Sequence, residues 1–115
     1  MQLSIEDKSY LWDILDACKD IISFLDKKSF EEFDKEKIIR FAVERQLMVI
    51  GEASKKLSED ARNQLHDIPW KKMIGLRNII AHEYGEILVE RIWRVGVEDI
   101  SQLKKKIENA FENTK

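Results

Sequence analysis

The residues of this sequence that are best suited to acid–base chemistry lie close together between positions 77 and 84. Arg77 and Asn78 are followed by His82 and Tyr84, which places a strong cation, an amide, an imidazole and a phenol in one short stretch. Cleavage of RNA without a metal ion needs a group that accepts the 2′-hydroxyl proton, a group that protonates the leaving 5′-oxygen and a cation for the phosphorane. His82 can serve in either proton transfer, and Arg77 can supply the cation.

Other familiar kinds of catalytic site are missing from the sequence. It contains two histidines and one cysteine, with no Cys or His pair at the spacing of metal ligands. It also has no glycine-rich phosphate loop and no G-x-S-x-G nucleophile motif. We therefore expect no metal ion and no cofactor. The second histidine, His66, falls in a polar turn and is interpreted as an exposed loop residue.

A helix over about residues 69–83 is predicted to carry the motif. Pro69 suits the first turn of a helix because its missing N–H is one that the turn leaves unpaired. Gly85 provides a stop for the same helix. One apolar stripe follows from the spacing of Met73, Leu76, Ile79 and Ile80.

Helical geometry alone does not direct Arg77 and His82 to the same point. Asn78 and His82 share one face of an ideal helix, whereas Arg77 and His82 lie roughly 140° apart around its axis. Three arrangements can bring them together. The Arg77 side chain bends round, the helix end unwinds at His82, or two copies of the helix face each other across a dimer cleft.

A purely structural interpretation of the same residues is also open. Arg77 can pair with a carboxylate of the preceding long helix, such as Glu44 or Glu52, while His82 caps the end of its own helix. On spacing alone, this structural interpretation is favoured over the catalytic one. Lys71 and Lys72 lie on the same predicted helix and are candidates for RNA phosphate contacts.

Length and composition indicate a single helical domain that spans residues 1–115. Hydrophobic residues make up 43% and charged residues 37% of the chain, with four glycines and one proline, which suits long amphipathic helices better than a turn-rich β fold. The net charge of −2 excludes the overall positive field of a general nucleic-acid binder, so any RNA contact must be local.

The cellular compartment follows from cysteine usage and from the lack of long apolar segments. Cys18 has no second cysteine with which to form an internal disulfide bond, and its apolar neighbours make it a small core residue. No basic segment followed by an apolar run opens the chain, and no apolar stretch approaches the length of a membrane span. We expect a cytoplasmic protein with no membrane partner.

Apolar periodicity predicts an all-α, up-and-down bundle of four long helices plus one short connector helix. The first helix is predicted at 5–26. The second begins within 30–35 and runs to about 57, and the connector follows at 58–65. The motif helix is predicted at 69–83 and the last helix at 87–112.

Two features of these helices suggest close packing. Gly51 lies in the middle of the second helix, where glycine costs about 1 kcal/mol relative to alanine. We interpret it as a point where another helix or chain crosses closely. The first and last helices have broad apolar faces, which are either core in a tightly packed bundle or part of a subunit interface.

The motif and its surroundings resemble the HepT-like proteins of the HEPN superfamily. The string Arg77-Asn78-x-x-x-His82-x-Tyr84 is similar to the R-x4-H-x-Y signature of that family. Further similarities extend the resemblance to nearly the whole chain: Ile68-Pro69-Trp70, Gly75, Gly51-Glu52-Ala53 and Trp93.

The resemblance implies a function and a set of roles. HepT-like proteins are homodimeric helical ribonucleases that act as toxins, with a composite site at the dimer cleft. By resemblance, Arg77 and His82 are catalytic and Asn78 is a supporting polar residue. The implied partner is a minimal nucleotidyltransferase antitoxin of a type VII-like toxin–antitoxin pair, which adds AMP to Tyr84. The substrate class is RNA, with transfer RNA and messenger RNA both open.

A different class of function is compatible with the same resemblance. Many HEPN domains have lost cleavage and serve as binding modules, so the chain can also be a non-catalytic helical binding partner or substrate-binding subunit of a nucleotidyltransferase. Both functions require the dimer and the partner. Only the ribonuclease requires the intact pair of Arg77 and His82.

Overall fold

Helices account for almost all of the chain that the structure describes. The structure is a computed structural model that describes residues 2–82 and 85–113, with the backbone alone at 86 and 87. No β-strand occurs in these residues, and their α-helices are α1 (Ile5–Leu25), α2 (Phe30–Lys35), α3 (Lys37–Lys56), α4 (Glu59–Gln64), α5 (Trp70–Ile74), α6 (Leu76–His82), α7 (Gly85–Arg94) and α8 (Ile100–Glu112). A π-helical turn, Val95–Asp99, joins α7 to α8. None of the described helices is long and apolar enough to cross a membrane.

This architecture confirms the predicted all-α bundle and adds two interruptions. The second predicted helix is divided at Glu36 into α2 and α3, and the motif helix is divided at Gly75 into α5 and α6. The first helix and the connector correspond to α1 and α4, and the last helix corresponds to α7, the π-helical turn and α8. Periodicity reports which face a helix buries rather than whether its backbone hydrogen bonds continue, so it did not reveal the breaks.

Serine residues fix three of the helix N-termini. The spacing of Ser29 and Glu32 in the sequence predicts a capping box, and the structure confirms it. The Ser29 hydroxyl accepts a hydrogen bond from the backbone N–H of Glu32, whose carboxylate accepts one from the Ser29 N–H. The hydroxyls of Ser4 and Ser58 accept in the same way from the backbone N–H three residues further along. Each cap satisfies a donor that the first helical turn leaves unpaired and typically contributes about 1 kcal/mol.

The broad apolar face of α1 is mostly bundle core. The helix packs against α3 and α8, and Ala17, Cys18 and Ile21 are all buried in these contacts. Burial raises the pKa of the Cys18 thiol to about 12, so the side chain stays protonated and behaves as a small apolar group. Trp12 is the large apolar residue in the middle of α1 that remains exposed, and it stacks on Phe111.

The second apolar strip of the last predicted helix is only partly covered. Trp93 packs against the rings of Phe30 and Phe33 in α2, and Ile100 is fully buried. Val97 remains 43% exposed. The protomer therefore covers most of the apolar surface that the sequence left open to either interpretation.

The π-helical turn connects the last helices to α1 and α5. The Ile100 N–H donates to the Val95 carbonyl, which accommodates one extra residue in an otherwise continuous helix. Asp99 in this turn forms an ion pair with Lys72 of α5, with 2.9 Å between Oδ2 and Nζ. The turn therefore helps to hold the segment that carries the motif.

Asp7 joins α1 to the start of α4 through two partly buried hydrogen bonds. Its Oδ1 accepts from the backbone N–H of Ser58 at 2.9 Å, and its Oδ2 accepts from the Ser58 hydroxyl at 2.7 Å. Burial acts to raise the pKa of Asp7, but the hydrogen bonds from Ser58, with a smaller contribution from Ser4, outweigh burial and hold the pKa below its ordinary value. The ionised carboxylate is therefore part of the folded state.

Asp7→Asn is expected to lower the free energy of unfolding at pH 7 by about 1 kcal/mol, because a neutral amide replaces the charged acceptor of two partly buried hydrogen bonds. Since the folded pKa of Asp7 is depressed, its charge stabilises the fold above the unfolded pKa of about 3.9, and this contribution is lost as the pH falls through the folded value. Urea titrations across that range should show the difference between wild type and Asp7→Asn shrinking. The exposed Asp13→Asn on the same helix is the control, and a difference that does not change with pH would contradict the assignment.

Candidate functional site: a groove between α3 and the motif segment

The candidate site depends on a close approach between α3 and the segment formed by α5 and α6. A Cβ atom at Gly51 would lie 3.3 Å from the carbonyl oxygen of Met73 and 3.6 Å from the backbone nitrogen of Arg77. Both neighbours are backbone atoms, which move aside only if the segment itself shifts. The structure confirms that Gly51 marks a crossing point, and the element that crosses α3 there is the motif segment.

Trp70 fixes the start of the motif segment. Its indole N–H donates to the carbonyl oxygen of Leu65 at 3.0 Å, and its side chain is buried. Pro69 directly precedes α5, and its carbonyl oxygen accepts from the backbone N–H of Met73, so the helix begins one residue after the predicted start. Met73 and Leu76 then enter the core. These contacts orient α6 so that its polar residues stay exposed.

An open groove of about 280 Å³ lies between the two elements, and we call it the motif groove. Its α3 wall consists of Gly51, Glu52 and Lys55. Its opposite wall consists of residues from α5 and α6, namely Ile74, Arg77, Asn78, Ala81 and His82. The polar residues of both walls are exposed, which suits a macromolecular substrate better than an enclosed small ligand. Within the described ranges no group of three His, Cys, Asp or Glu residues is arranged to hold a metal ion.

One protomer is sufficient to bring Arg77 and His82 to a single groove. Arg77 is the second residue of α6, His82 is the last, and Asn78 lines the same wall. The side chains of these three residues make no hydrogen bond or ion pair with any other described residue. They are therefore available to a bound substrate.

The carboxylates considered as structural partners do not pair with Arg77 in the described part of the chain. Glu44 pairs with Arg40, with 3.8 Å between Oε2 and Nε. Burial raises the pKa of Glu44 in spite of this neighbouring cation. Glu52 shares the motif groove with Arg77 but forms no ion pair with it. His82 is the last residue of α6, where a cation suits the helix dipole. Of the structural interpretation, only the capping role of His82 is therefore supported.

The two lysines suggested by the sequence lie outside the motif groove. Lys72 is engaged with Asp99. Lys71 is exposed on α5 and lines neither wall. Neither lysine therefore shares the groove with Arg77.

Two residues of the groove were not identified as site residues from the sequence. Lys55 follows Gly51 by four positions and shares its face of α3, whereas Glu52, one position on, lies roughly 100° around the axis on the adjoining face. Once Gly51 is interpreted as the crossing point with the motif segment, this spacing places both residues beside the motif. The sequence did not show which element crosses α3 at Gly51, so it could not place Glu52 and Lys55 beside the motif.

Tyr84, the predicted modification site, lies outside the described residues. The next residue, Gly85, has φ +63°, in the left-handed region that favours glycine. In the structure α6 spans Leu76–His82 and Gly85 is the first residue of α7, so whether Gly85 stops the motif helix, as predicted, lies outside the described residues.

Comparison with known proteins assigns the chain to a family. The family model described as ribonuclease HepT-like matches residues 14–110, which include both walls of the motif groove. The chain belongs to the HepT-like family. The resemblance drawn from the motif and the helices is thereby confirmed.

Several relatives are similar over most of their length. The protein named "Putative RNase MJ1380" of Methanocaldococcus jannaschii is 42% identical over 101 residues, which cover 88% of this chain and 93% of the relative. "Putative RNase MJ0127" of the same organism is 40% identical, with 93% and 94% covered. "Probable ribonuclease HepT" of Thermococcus cleftensis is 40% identical, with 88% and 92% covered. No solved structure matched the chain.

Gly51→Val is expected to disturb the crossing between α3 and the motif segment, because its added carbons meet backbone atoms of Met73 and Arg77. Overpacking of this kind typically costs about 1–3 kcal/mol, and the free energy of unfolding should fall by a similar amount. Arg45→Val, at an exposed position of α3, is the control for the lower helix propensity of valine. Chemical denaturation measures both variants. Equal losses in the two would contradict the close approach.

Proposed function

We propose that this protein is a metal-independent endoribonuclease whose active site is the motif groove. The observation that carries the proposal is the exposure of Arg77, Asn78 and His82, free of partners among the described residues, along one wall of that groove. The family and the names of the relatives support RNA as the substrate class.

The proposed reaction is a transesterification within the RNA chain. The 2′-oxygen attacks the adjacent phosphorus and the bond to the 5′-oxygen breaks, which leaves a 2′,3′-cyclic phosphate and a 5′-hydroxyl. Arg77 neutralises charge on the phosphorane, for which a guanidinium is well suited because it can donate two parallel hydrogen bonds to phosphate oxygens. His82 transfers a proton, and Asn78 provides neutral hydrogen bonds to the backbone of the RNA.

Lysines supply further contacts to RNA phosphates in this proposal. Lys55 lies in the groove and has no ion-pair partner among the described residues. Lys71 and Lys72 would act where the RNA extends along α5, and Lys72 would have to exchange Asp99 for a phosphate. Local cations of this kind are sufficient for binding by a chain whose net charge is negative.

A homodimer is part of the proposal, with the two copies of the motif at a shared cleft. Large apolar side chains at the surface support a protein interface, and the most exposed of these on α3 are Ile38 at 85% and Phe41 at 57%. Phe41 and Gly85 border the same open groove, so an interface at this face would lie beside the motif.

The proposed biological setting is a toxin–antitoxin pair. A minimal nucleotidyltransferase would inhibit the ribonuclease by adding AMP to Tyr84, two positions after His82. Each AMP would bring a phosphodiester of about one negative charge and a bulky nucleoside to the motif. The negative charge would occupy the cations that an RNA phosphate requires.

His82→Ala and Arg77→Ala are each expected to slow RNA cleavage by about 10²-fold or more, because each removes a group that acts in the transition state. Cleavage of transfer RNA and of a messenger RNA transcript is measured with and without EDTA, and the chelator should have no effect. His66→Ala and Arg45→Ala remove an exposed histidine and an exposed arginine outside the motif groove. These two controls should retain the wild-type rate.

Circular dichroism and sedimentation distinguish loss of chemistry from loss of structure. All four variants should keep the helicity of the wild type and about twice the monomer mass. Full activity in His82→Ala would assign the cleavage to another protein in the preparation. A stable dimer that binds the nucleotidyltransferase and cleaves neither RNA would favour the alternative function, a non-catalytic partner.

Co-expression with a minimal nucleotidyltransferase should add the mass of one or more AMP groups to the wild type and restore cell growth. Tyr84→Phe should show neither effect, because phenylalanine lacks the phenolic oxygen that accepts AMP. Tyr10→Phe is the control, since it removes the only other tyrosine hydroxyl. An adduct that persists on Tyr84→Phe protein would exclude Tyr84 as the acceptor.

A further inference from the structure

The α3 wall of the motif groove carries a carboxylate that the fold does not use. Glu52 directly follows Gly51, lines the same groove as Arg77 and His82, and is exposed. Its side chain makes no hydrogen bond or ion pair with another described residue. Some glutamates, such as Glu36 with Lys28 and Glu90 with Arg94, form ion pairs, whereas other exposed ones, such as Glu59, have no such partner among the described residues. What distinguishes Glu52 from these is its place in the motif groove.

A single imidazole cannot perform both proton transfers of RNA cleavage in one step. The attacking 2′-hydroxyl must lose a proton while the departing 5′-oxygen gains one, so the site needs an unprotonated base and a protonated acid at the same time. His82 is the only imidazole that lines the motif groove, and His66 does not belong to either wall. Within the groove of one protomer the second proton-transfer group has to come from another side chain, and the alternative, the imidazole of a second copy across the cleft, is one of the outcomes of the test below.

We propose that Glu52 is a catalytic residue of the motif groove and acts as the general base, with His82 as the general acid. This inference rests on the proposed ribonuclease function. Glu52 and His82 stand on opposite walls, one on α3 and one at the end of α6, so a phosphodiester in the groove lies between them. That placement suits a reaction in which the attacking and leaving oxygens are on opposite sides of phosphorus.

The protons balance in this arrangement. The Glu52 carboxylate takes the 2′-hydroxyl proton as the new bond from the 2′-oxygen to phosphorus forms. The His82 imidazolium gives its proton to the 5′-oxygen as the bond from phosphorus to that oxygen breaks. Glu52 is then protonated and His82 neutral, and proton exchange with water restores the starting forms. Arg77 neutralises the phosphorane on the α6 side, and Lys55 contacts phosphate on the α3 side.

A carboxylate in a groove that binds RNA would weaken binding if it had no other role, because it repels phosphate. Two nearby cations in the groove, Arg77 and Lys55, offset this repulsion. Replacing Glu52 should therefore affect the bond-breaking step far more than the affinity for RNA. This separates a catalytic role from a binding role.

The test compares Glu52→Gln with wild type in single-turnover cleavage of a short single-stranded RNA by the full-length protein. The rate constant of Glu52→Gln is expected to fall by about 10²–10⁴-fold while the dissociation constant for the RNA stays within about twofold. The acidic limb of the pH–rate profile, where the base becomes protonated, should disappear. Added formate should restore part of the rate in Glu52→Ala, because it can enter the space of the missing carboxylate. Glu59→Gln, an exposed carboxylate on α4 outside the motif groove, should behave as wild type.

Each other outcome overturns the inference in a recognisable way. Wild-type rates in Glu52→Gln together with an inactive His82→Ala would leave the ribonuclease proposal standing and place the base elsewhere, including on a second copy of the chain. A slow Glu52→Gln protein with the acidic limb intact and no rescue by formate would assign Glu52 a structural role. If the wild type cleaves no RNA, the proposed function fails first and this inference fails with it.

Discussion

The close approach of α3 to the motif segment at Gly51 is the constraint on which the site depends. A Cβ at this position would meet a backbone carbonyl oxygen at a tight 3.3 Å and a backbone nitrogen at 3.6 Å, which leaves no room for a larger side chain. Glycine is costly in the middle of a helix, so its presence in a long α3 makes sense only if the crossing requires it. The crossing brings Glu52 and Lys55 on one element against Arg77 and His82 on another, and the two elements together form a groove that neither could form alone.

The residues that stabilise the motif segment differ from those that line the candidate site. The residues that hold the motif segment are buried, as with Trp70, Met73 and Leu76, or paired, as with Lys72 and Asp99. The polar residues of the groove are exposed and have no hydrogen-bond or ion-pair partner in the described ranges. Substitutions in the groove can therefore alter function with little cost to the fold, which makes their effects on activity interpretable.

The break in the motif helix at Gly75 determines how the motif residues are held. The break at Gly75 separates α5, which is anchored to the core and to the π-helical turn, from α6, which carries the motif. The carbonyl oxygen of Gly75 accepts from the backbone N–H groups of both Asn78 and Ile79, so the chain continues into α6 with a tightened first turn. Arg77 and His82 are thus held on a short helix whose entry is fixed, and the next described helix, α7, begins at the left-handed Gly85.

The sequence by itself determined the fold class, the Ser29 capping box and the family, and it placed the first helix and the connector to within one residue at each end. Each of these depends on local spacing or on residues close together in the chain. It also indicated that Gly51 is a crossing point and that Arg77, Asn78 and His82 form a site. Only the tertiary structure decided what crosses at Gly51, which brought Glu52 and Lys55 into the groove and placed Lys71 and Lys72 outside it. The physical reason is that helical periodicity specifies the faces of one helix, whereas the contact between two helices depends on their relative position, which no spacing along either helix encodes.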